Sequence, residues 1–166
     1  MATRKPQLKP LPKHLRPRYR YIVISIESWP TVKLDKRTFQ QAIWTSTSRL
    51  FGDTGAATAD LFLIRFEFSN GSGWGIIRTH RDTLSIARSS IACVSKINEF
   101  PVGIIVRGVS GTIKSCEDKY LSKLPEPVIP GEHLFNTKIS PSFTRGHCID
   151  IQTDTDFIGA THLDVT

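Results

Sequence analysis

From Arg18 the chain alternates. RYRYIVISIE places Ile22, Ile24 and Ile26 on one side and Tyr21, Val23 and Ser25 on the other, the period-two signature of a strand, and Trp29-Pro30 ends it. From Asp35 the spacing lengthens: Phe39, Ile43, Thr47 and Leu50–Phe51 fall on one side of a helix, with Gly52 as its stop. LFLIRFEF at 61–68 alternates again, with Phe62, Ile64, Phe66 and Phe68 facing together. Asn70-Gly-Ser-Gly73 is a hairpin signal, and WGIIRT at 74–79 is the returning strand. Asp82 is the expected N-cap of a second helix, with Leu84, Ala87, Ile91 and Val94 on one face. VGIIVR at 102–107 reads as a fourth strand and Thr112–Leu121 as a short third helix.

The order β-α-β-β-α-β predicts an α+β fold: a two-layer α/β sandwich of split βαβ (ferredoxin-like, RRM-like) topology, followed by a C-terminal helix. The helix faces and the Ile22/Phe62 side of the strands would form the core. The opposite sheet face would show Tyr21, Arg65, Arg78 and Arg107. Three segments follow. Residues 1–17 are a basic arm whose Pro6, Pro10, Pro12 and Pro17 oppose helix; 18–121 are the α/β domain; 122–166 are an acidic extension with Pro125, Pro127, Pro130 and Pro141, expected to be irregular.

Between the fourth strand and the third helix lies GVSGTIKSC at 108–116. Glycines after a strand, followed by Thr, Lys and Ser, invite comparison with a phosphate loop. A P-loop needs its last glycine directly before the lysine, and here Thr112 and Ile113 separate Gly111 from Lys114. The G-x-x-G letters match the backbone clamp of KH domains, but that clamp joins two helices and this stretch follows a strand. What remains is a turn in which Gly108 and Gly111 supply backbone freedom, with Lys114 one turn beyond.

Charge changes the picture more than composition does. Residues 1–121 carry 19 Lys and Arg against 9 Asp and Glu, and residues 122–166 carry 3 against 6, for +7 overall. Seven basic and no acidic side chains stand in the first twenty residues. One-signed clusters of this kind seek polyanions, and nucleic acid is favoured over a membrane surface because no amphipathic helix accompanies the arm. The apolar runs are too short to span a bilayer, and the N-terminus lacks the apolar stretch of a secretory signal, so a soluble cytoplasmic protein is expected. Cys93, Cys116 and Cys148 are odd in number and lack C-x-x-C spacing, which indicates neither a disulfide framework nor a zinc site. Cys93 is expected in the core, and His147-Cys148 lacks partners for metal binding or catalysis.

Sequence-reading of single strands by stacking needs two or three aromatics on the sheet. The third strand offers Trp74 but has Ile76 where a second would stand. Phosphate and shape contacts through Arg and Lys fit better. Asp150, Asp154 and Asp156 could be drawn as a nuclease metal group, but they lie in the acidic extension without a flanking His or Lys at telling spacing. No catalytic or metal-ligating residue is assigned.

RPRYRYIVISIE, RLFGDTGAATADLFLIRFEFSNGSGWGIIRTHRD and VRGVSGTIKSCEDKYL together resemble the archaeal ribonuclease P protein component 2 family, whose eukaryotic homologue serves both RNase P and RNase MRP. The resemblance covers about residues 15–121. It implies a non-catalytic subunit of the ribozyme that cleaves the 5′ leader from precursor tRNA. The implied partners are ribonuclease P RNA, precursor tRNA, other protein subunits and the TIM-barrel-like component 3, in a heterotetramer with two copies of each. No cofactor would be bound by the polypeptide; Mg²⁺ would sit at the RNA active site. Candidate phosphate contacts are Arg16, Arg18, Arg20, Arg78, Arg81, Arg107 and Lys114. The alternatives are a stand-alone structured-RNA-binding module of the split βαβ class and a metal-dependent enzyme using the carboxylates of the extension.

Overall fold

A computed structural model describes residue 12 and residues 16–28, 32–123, 129–135, 138–145, 148–153, 157–161 and 163–165. The elements run β1 (Tyr19–Ser28), α1 (Lys36–Ala59), β2 (Phe62–Ser69), β3 (Ser72–His80), α2 (Leu84–Ala92), β4 (Lys96–Ile97), β5 (Phe100–Ser110) and α3 (Ile113–Tyr120). Four further strands follow: β6 (Ile129–Phe135), β7 (Lys138–Arg145), β8 (Cys148–Gln152) and β9 (Phe157–Thr161). The fold class is α+β; the described residues form three α-helices and two antiparallel sheets, ordered β2-β3-β1-β5-β4 and β6-β7-β8-β9. The strands outnumber those expected from sequence. β4 is a two-residue addition at the β5 edge, joined by a tight turn with Asn98 and Glu99 at positive φ.

β1 is central, bonded to β3 and β5, and Ile22 through Ile26 are all buried. Its even residues Ile22, Ile24 and Ile26 meet Phe39 and Ile43 of α1 and Ala87 and Ile91 of α2 in the main core. Its odd face is covered as well: Val23, Ile76 and Cys116 are fully buried together, with Tyr21, Trp74, Ile113 and Tyr120 packed around them. α3 therefore lies over the sheet face expected to stand open. Trp74, the aromatic that the third strand offers for stacking, is engaged in this second core.

α3 can approach so closely because of a glycine inside β5. A bulge in the β1–β5 register pairs Val23 with Gly108 and Ile24 with Val106, leaving Arg107 as the extra residue. A Cβ on Gly108 would stand 2.2 Å from the Tyr120 ring. Gly108 is thus a strand residue chosen for close approach rather than a turn residue. Gly111, expected to need special backbone angles, has no left-handed φ, and a Cβ there would meet only Arg20 Nη1 at 3.6 Å. The GVSGTIKSC stretch resolves into the end of β5, Thr112 as N-cap accepting from the Ser115 amide, and the first turn of α3.

Several local expectations are corrected. Asp35 caps α1, accepting from the amides of Arg37 and Thr38, and the Thr38 hydroxyl holds its carboxyl below the usual range. Gly52 (φ 68°, ψ 177°) breaks α1, yet helical turns resume to Ala59, and Leu50 and Phe51 are exposed rather than in the core. In β2 a bulge between Leu63 and Arg65 reverses the phase: Leu63, Phe66 and Phe68 face the main core, while Phe62 turns to the other side. Gln40 on α1 secures this point, its side chain donating to the Leu61 carbonyl and accepting from the Leu63 amide. α2 starts at Leu84 after a 3-10 turn at Arg81–Thr83, with Thr83 rather than Asp82 as N-cap. Cys93 is exposed, and Cys116 is the buried thiol, with its pKa raised by burial.

The extension, expected to be irregular, contains regular strands among its described residues. Its described residues form the β6–β9 meander around Ile149, Ile151 and Ala160. Pro130 sits in edge strand β6, and Pro141 lies one residue beyond the β7–β8 ladder, where its missing N–H disrupts no pairing with β8.

Gly108→Ala should cost about 1–3 kcal/mol in urea unfolding, because the added methyl overlaps a packed ring. Gly111→Ala should stay within about 0.5 kcal/mol. In a Tyr120→Ala background the cost of Gly108→Ala should largely vanish. An equal cost in both backgrounds would contradict the packing account.

Candidate nucleic-acid interface

At one end of the five-stranded sheet the start of β1, the end of β3 and the end of β5 come together. Tyr19 pairs with His80, Arg20 with Thr79 and Tyr21 with both Arg78 and Ser110. The Arg81 amide donates to the Arg18 carbonyl at 2.8 Å, which fixes the approach to β1 beside the 3-10 turn. Arg16, Arg18 and Arg81 are exposed, and Arg20 is half-buried. Arg16 and Arg18 line a cleft of about 600 Å³ with Thr58, His80 and Asp82. Arg20 donates to the Tyr19 carbonyl and reaches the neighbourhood of Gly111. Five of the seven candidate cations, Arg16, Arg18, Arg20, Arg78 and Arg81, are gathered at this end. Lys114 is exposed in the first turn of α3, and Arg107 lies farther along the sheet, its Nε donating to Ser25 Oγ at 2.8 Å.

Arg78 differs from the others. Its Nη2 is 2.8 Å from Asp60 Oδ2, and its guanidinium carbon stands 4.5 Å from the Tyr19 ring centre and 5.5 Å from that of Phe62. Tyr19 in turn stacks on His80, with ring centres 4.9 Å apart. Asp60 ends α1 in a left-handed conformation (φ 44°, ψ 52°), which Asp tolerates better than most residues. The pairing ties the end of α1 to β3 and shares the charge of Arg78 with a carboxylate. Cation–π attraction of this sort contributes about 0.5–1 kcal/mol at exposed sites. The aromatic framing by Tyr19 and Phe62 escaped the sequence reading because the β2 bulge moves Phe62 off the core side. The phase switch between Leu63 and Arg65 leaves no mark on alternation alone.

Elsewhere on this face Arg65 pairs with Glu117 of α3. Among the described residues no group of three or more His, Cys, Asp or Glu is placed to hold a metal ion. Of the carboxylates once drawn as a metal group, Asp150 lies in β8, while Asp154 and Asp156 fall outside the described residues, as does His147. Lys5, Lys9 and the rest of the arm before Arg16, except Pro12, also fall outside them. No helix among the described residues is long and apolar enough to cross a membrane.

Residues 20–121 match the model of the Rpp14/Pop5 family. A protein of Halorubrum lacusprofundi named ribonuclease P protein component 2 is 39% identical over 157 residues, covering 95% of this chain and 99% of that relative. One of the same name from Natronomonas pharaonis is 37% identical over 158 residues, covering 95% and 98%. A shorter one from Pyrococcus horikoshii is 35% identical over 117 residues, covering 70% of this chain and 94% of its own length.

The Asp60–Arg78 pair is partly exposed, so its coupling should be modest. A double-mutant cycle with Asp60→Asn and Arg78→Met, read by urea unfolding, should give about 0.5–1 kcal/mol. Arg78→Lys should recover little of the loss, because an ammonium lacks the planar fork that both pairs and stacks. Full rescue by Lys would show that point charge alone suffices.

Proposed function

The chain belongs to the Rpp14/Pop5 family, and from that premise we infer that it is a protein subunit of ribonuclease P, the ribonucleoprotein that cleaves the leader from precursor tRNA. The observation that carries this is the family match itself, which runs from β1 through α3. Such a subunit works with the RNA and with other protein subunits. Among those, the TIM-barrel-like component 3 is our proposed direct partner, in a heterotetramer with two copies of each. The antiparallel order β5-β1-β3-β2 supports reading the sheet as split βαβ, with β4 added at its edge. Residues 18–121 then form the RNA-binding domain and residues 1–17 a basic arm. The alignment over 157 of 166 residues with the Halorubrum relative must include most of 122–166, which supports an extension shared with such relatives.

The chemistry proposed for the polypeptide is electrostatic. Catalytic RNA and its substrate are both polyanions, and their approach requires cations. Arg16, Arg18, Arg20 and Arg81 at the open sheet end, with Lys114 on α3 and Arg107 along the sheet, would neutralise phosphates and lower that repulsion. Arg78 would contribute less directly, since Asp60 shares its charge. Hydrolysis would fall to Mg²⁺ held by the RNA, which activates water and stabilises the leaving oxygen.

Reconstitution checks this. Cleavage of precursor tRNA should require the RNA subunit and be absent with protein alone. Arg18→Ala/Arg20→Ala/Arg81→Ala should weaken binding to the RNA, and the slope of log K against log salt should flatten by about 0.7–0.9 per lost contact. RNA-free cleavage, or an unchanged slope, would contradict the reading.

A further inference from the structure

The sheet face that could have stacked bases is occupied by α3, yet a different aromatic surface stands open at the sheet end. Phe62 is 45% exposed on edge strand β2, on the same side of the sheet as Tyr19. It is a large ring that the main core does not use. Arg78, anchored by Asp60, packs against it from β3 and holds Tyr19 on its other flank, while His80 stacks on Tyr19. The ring is therefore braced as well as exposed. The same end carries the exposed guanidinium groups of Arg18 and Arg81. Arg65 follows Phe62 along β2 on the same face, but its charge is committed to Glu117 of α3.

We propose that Phe62 is a stacking platform for one unpaired nucleotide of an RNA, whose flanking phosphates are met by Arg18 and Arg81. An exposed aromatic on a protein surface can receive an apolar partner or a nucleobase; exposed arginines at the same end of the sheet repel a basic partner and reward a polyanion. A nucleotide is both at once, a π-face joined to a phosphate, which is how single strands are held without base-edge readout. Asp60 matters to the design because it fixes Arg78, so that the cation behind Phe62 is a brace while Arg18 and Arg81 at the sheet end serve phosphate. The site tolerates any base, since every base offers a π-face. It deepens the ribonuclease P reading by naming what kind of RNA element the basic end takes: an unpaired residue beside a backbone, rather than duplex alone.

The test uses the full chain, a fluorescently labelled single-stranded decamer of adenylates, and a labelled RNA duplex of ten base pairs, at two salt concentrations. Phe62→Leu keeps the apolar volume and removes the π-face. It should weaken decamer binding about 5- to 100-fold, leave duplex binding within about twofold, and leave the salt slope and thermal melt unchanged. Phe62→Trp should bind the decamer at least as tightly as the wild type. Decamer affinity equal to the wild type in Phe62→Leu, or an equal loss for decamer and duplex, would overturn the platform while leaving the RNA-binding reading intact. A wild-type chain that binds neither probe would instead sink both. If Phe62→Leu binds both RNAs normally but no longer assembles with another ribonuclease P protein, the ring is a protein contact and the proposal fails.

Discussion

Both faces of β1 must be buried, and the rest of the domain is arranged to bury them. Five consecutive apolar or small side chains, Ile22 to Ile26, run through the middle of the sheet with no exposure to speak of. Burying one such aliphatic side chain contributes about 1.5–3 kcal/mol, so leaving Val23 and its neighbour Ile76 under solvent would sacrifice a sizeable share of a small domain's stability. α1 and α2 cover one side and α3 the other. The second covering depends on the Gly108–Tyr120 approach and on the β5 bulge that puts Gly108 opposite Val23. An RRM-like sheet that reads RNA must leave this face open. Here α3 covers it, and the proposed contact with RNA falls instead at the end of the sheet.

The strand order sets how the cations are distributed. The arginines at 16, 18, 20 and 81 cluster at the sheet end because β1 begins where β3 finishes. Arg107 and Arg65, which would have lined an open sheet face, are engaged by Ser25 and Glu117. Arg78 stands between the two groups, paired to Asp60 and framed by aromatics. The stretch FGDTGAATADL at 51–61 gains a physical content from this geometry: it supplies the Gly52 break, the second stretch of α1, and the Asp60 corner that holds Arg78.

The four main strands could be read from alternation, and α1 and α2 from helical spacing of their apolar residues. Alternation failed where the backbone departs from regular pleat. At Leu63 a bulge moved Phe62 out of the core, and at Arg107 another made Gly108 rather than Gly111 the critical glycine. Cys93 fell on the expected face of α2 but one residue past its end, where it is exposed. The extension was misread as irregular because its strands bury few side chains and carry prolines, which edge positions and ladder ends accommodate. The cluster of cations was evident as charge in the sequence. Its convergence on one end, and the ring that stands within it, required the strand order.

The central claim is that RNA meets the end of the sheet and not its α3-covered face. Ultraviolet cross-linking of the full chain to ribonuclease P RNA, with the joined peptides identified by mass spectrometry, tests it most directly. The account predicts cross-links within 16–20, 60–62 and 78–82 and few at Ser25, Trp74 or 103–106. Cross-links concentrated at Trp74 and Ile105, with none at the sheet end, would show that α3 moves aside and that the sheet face is the interface after all.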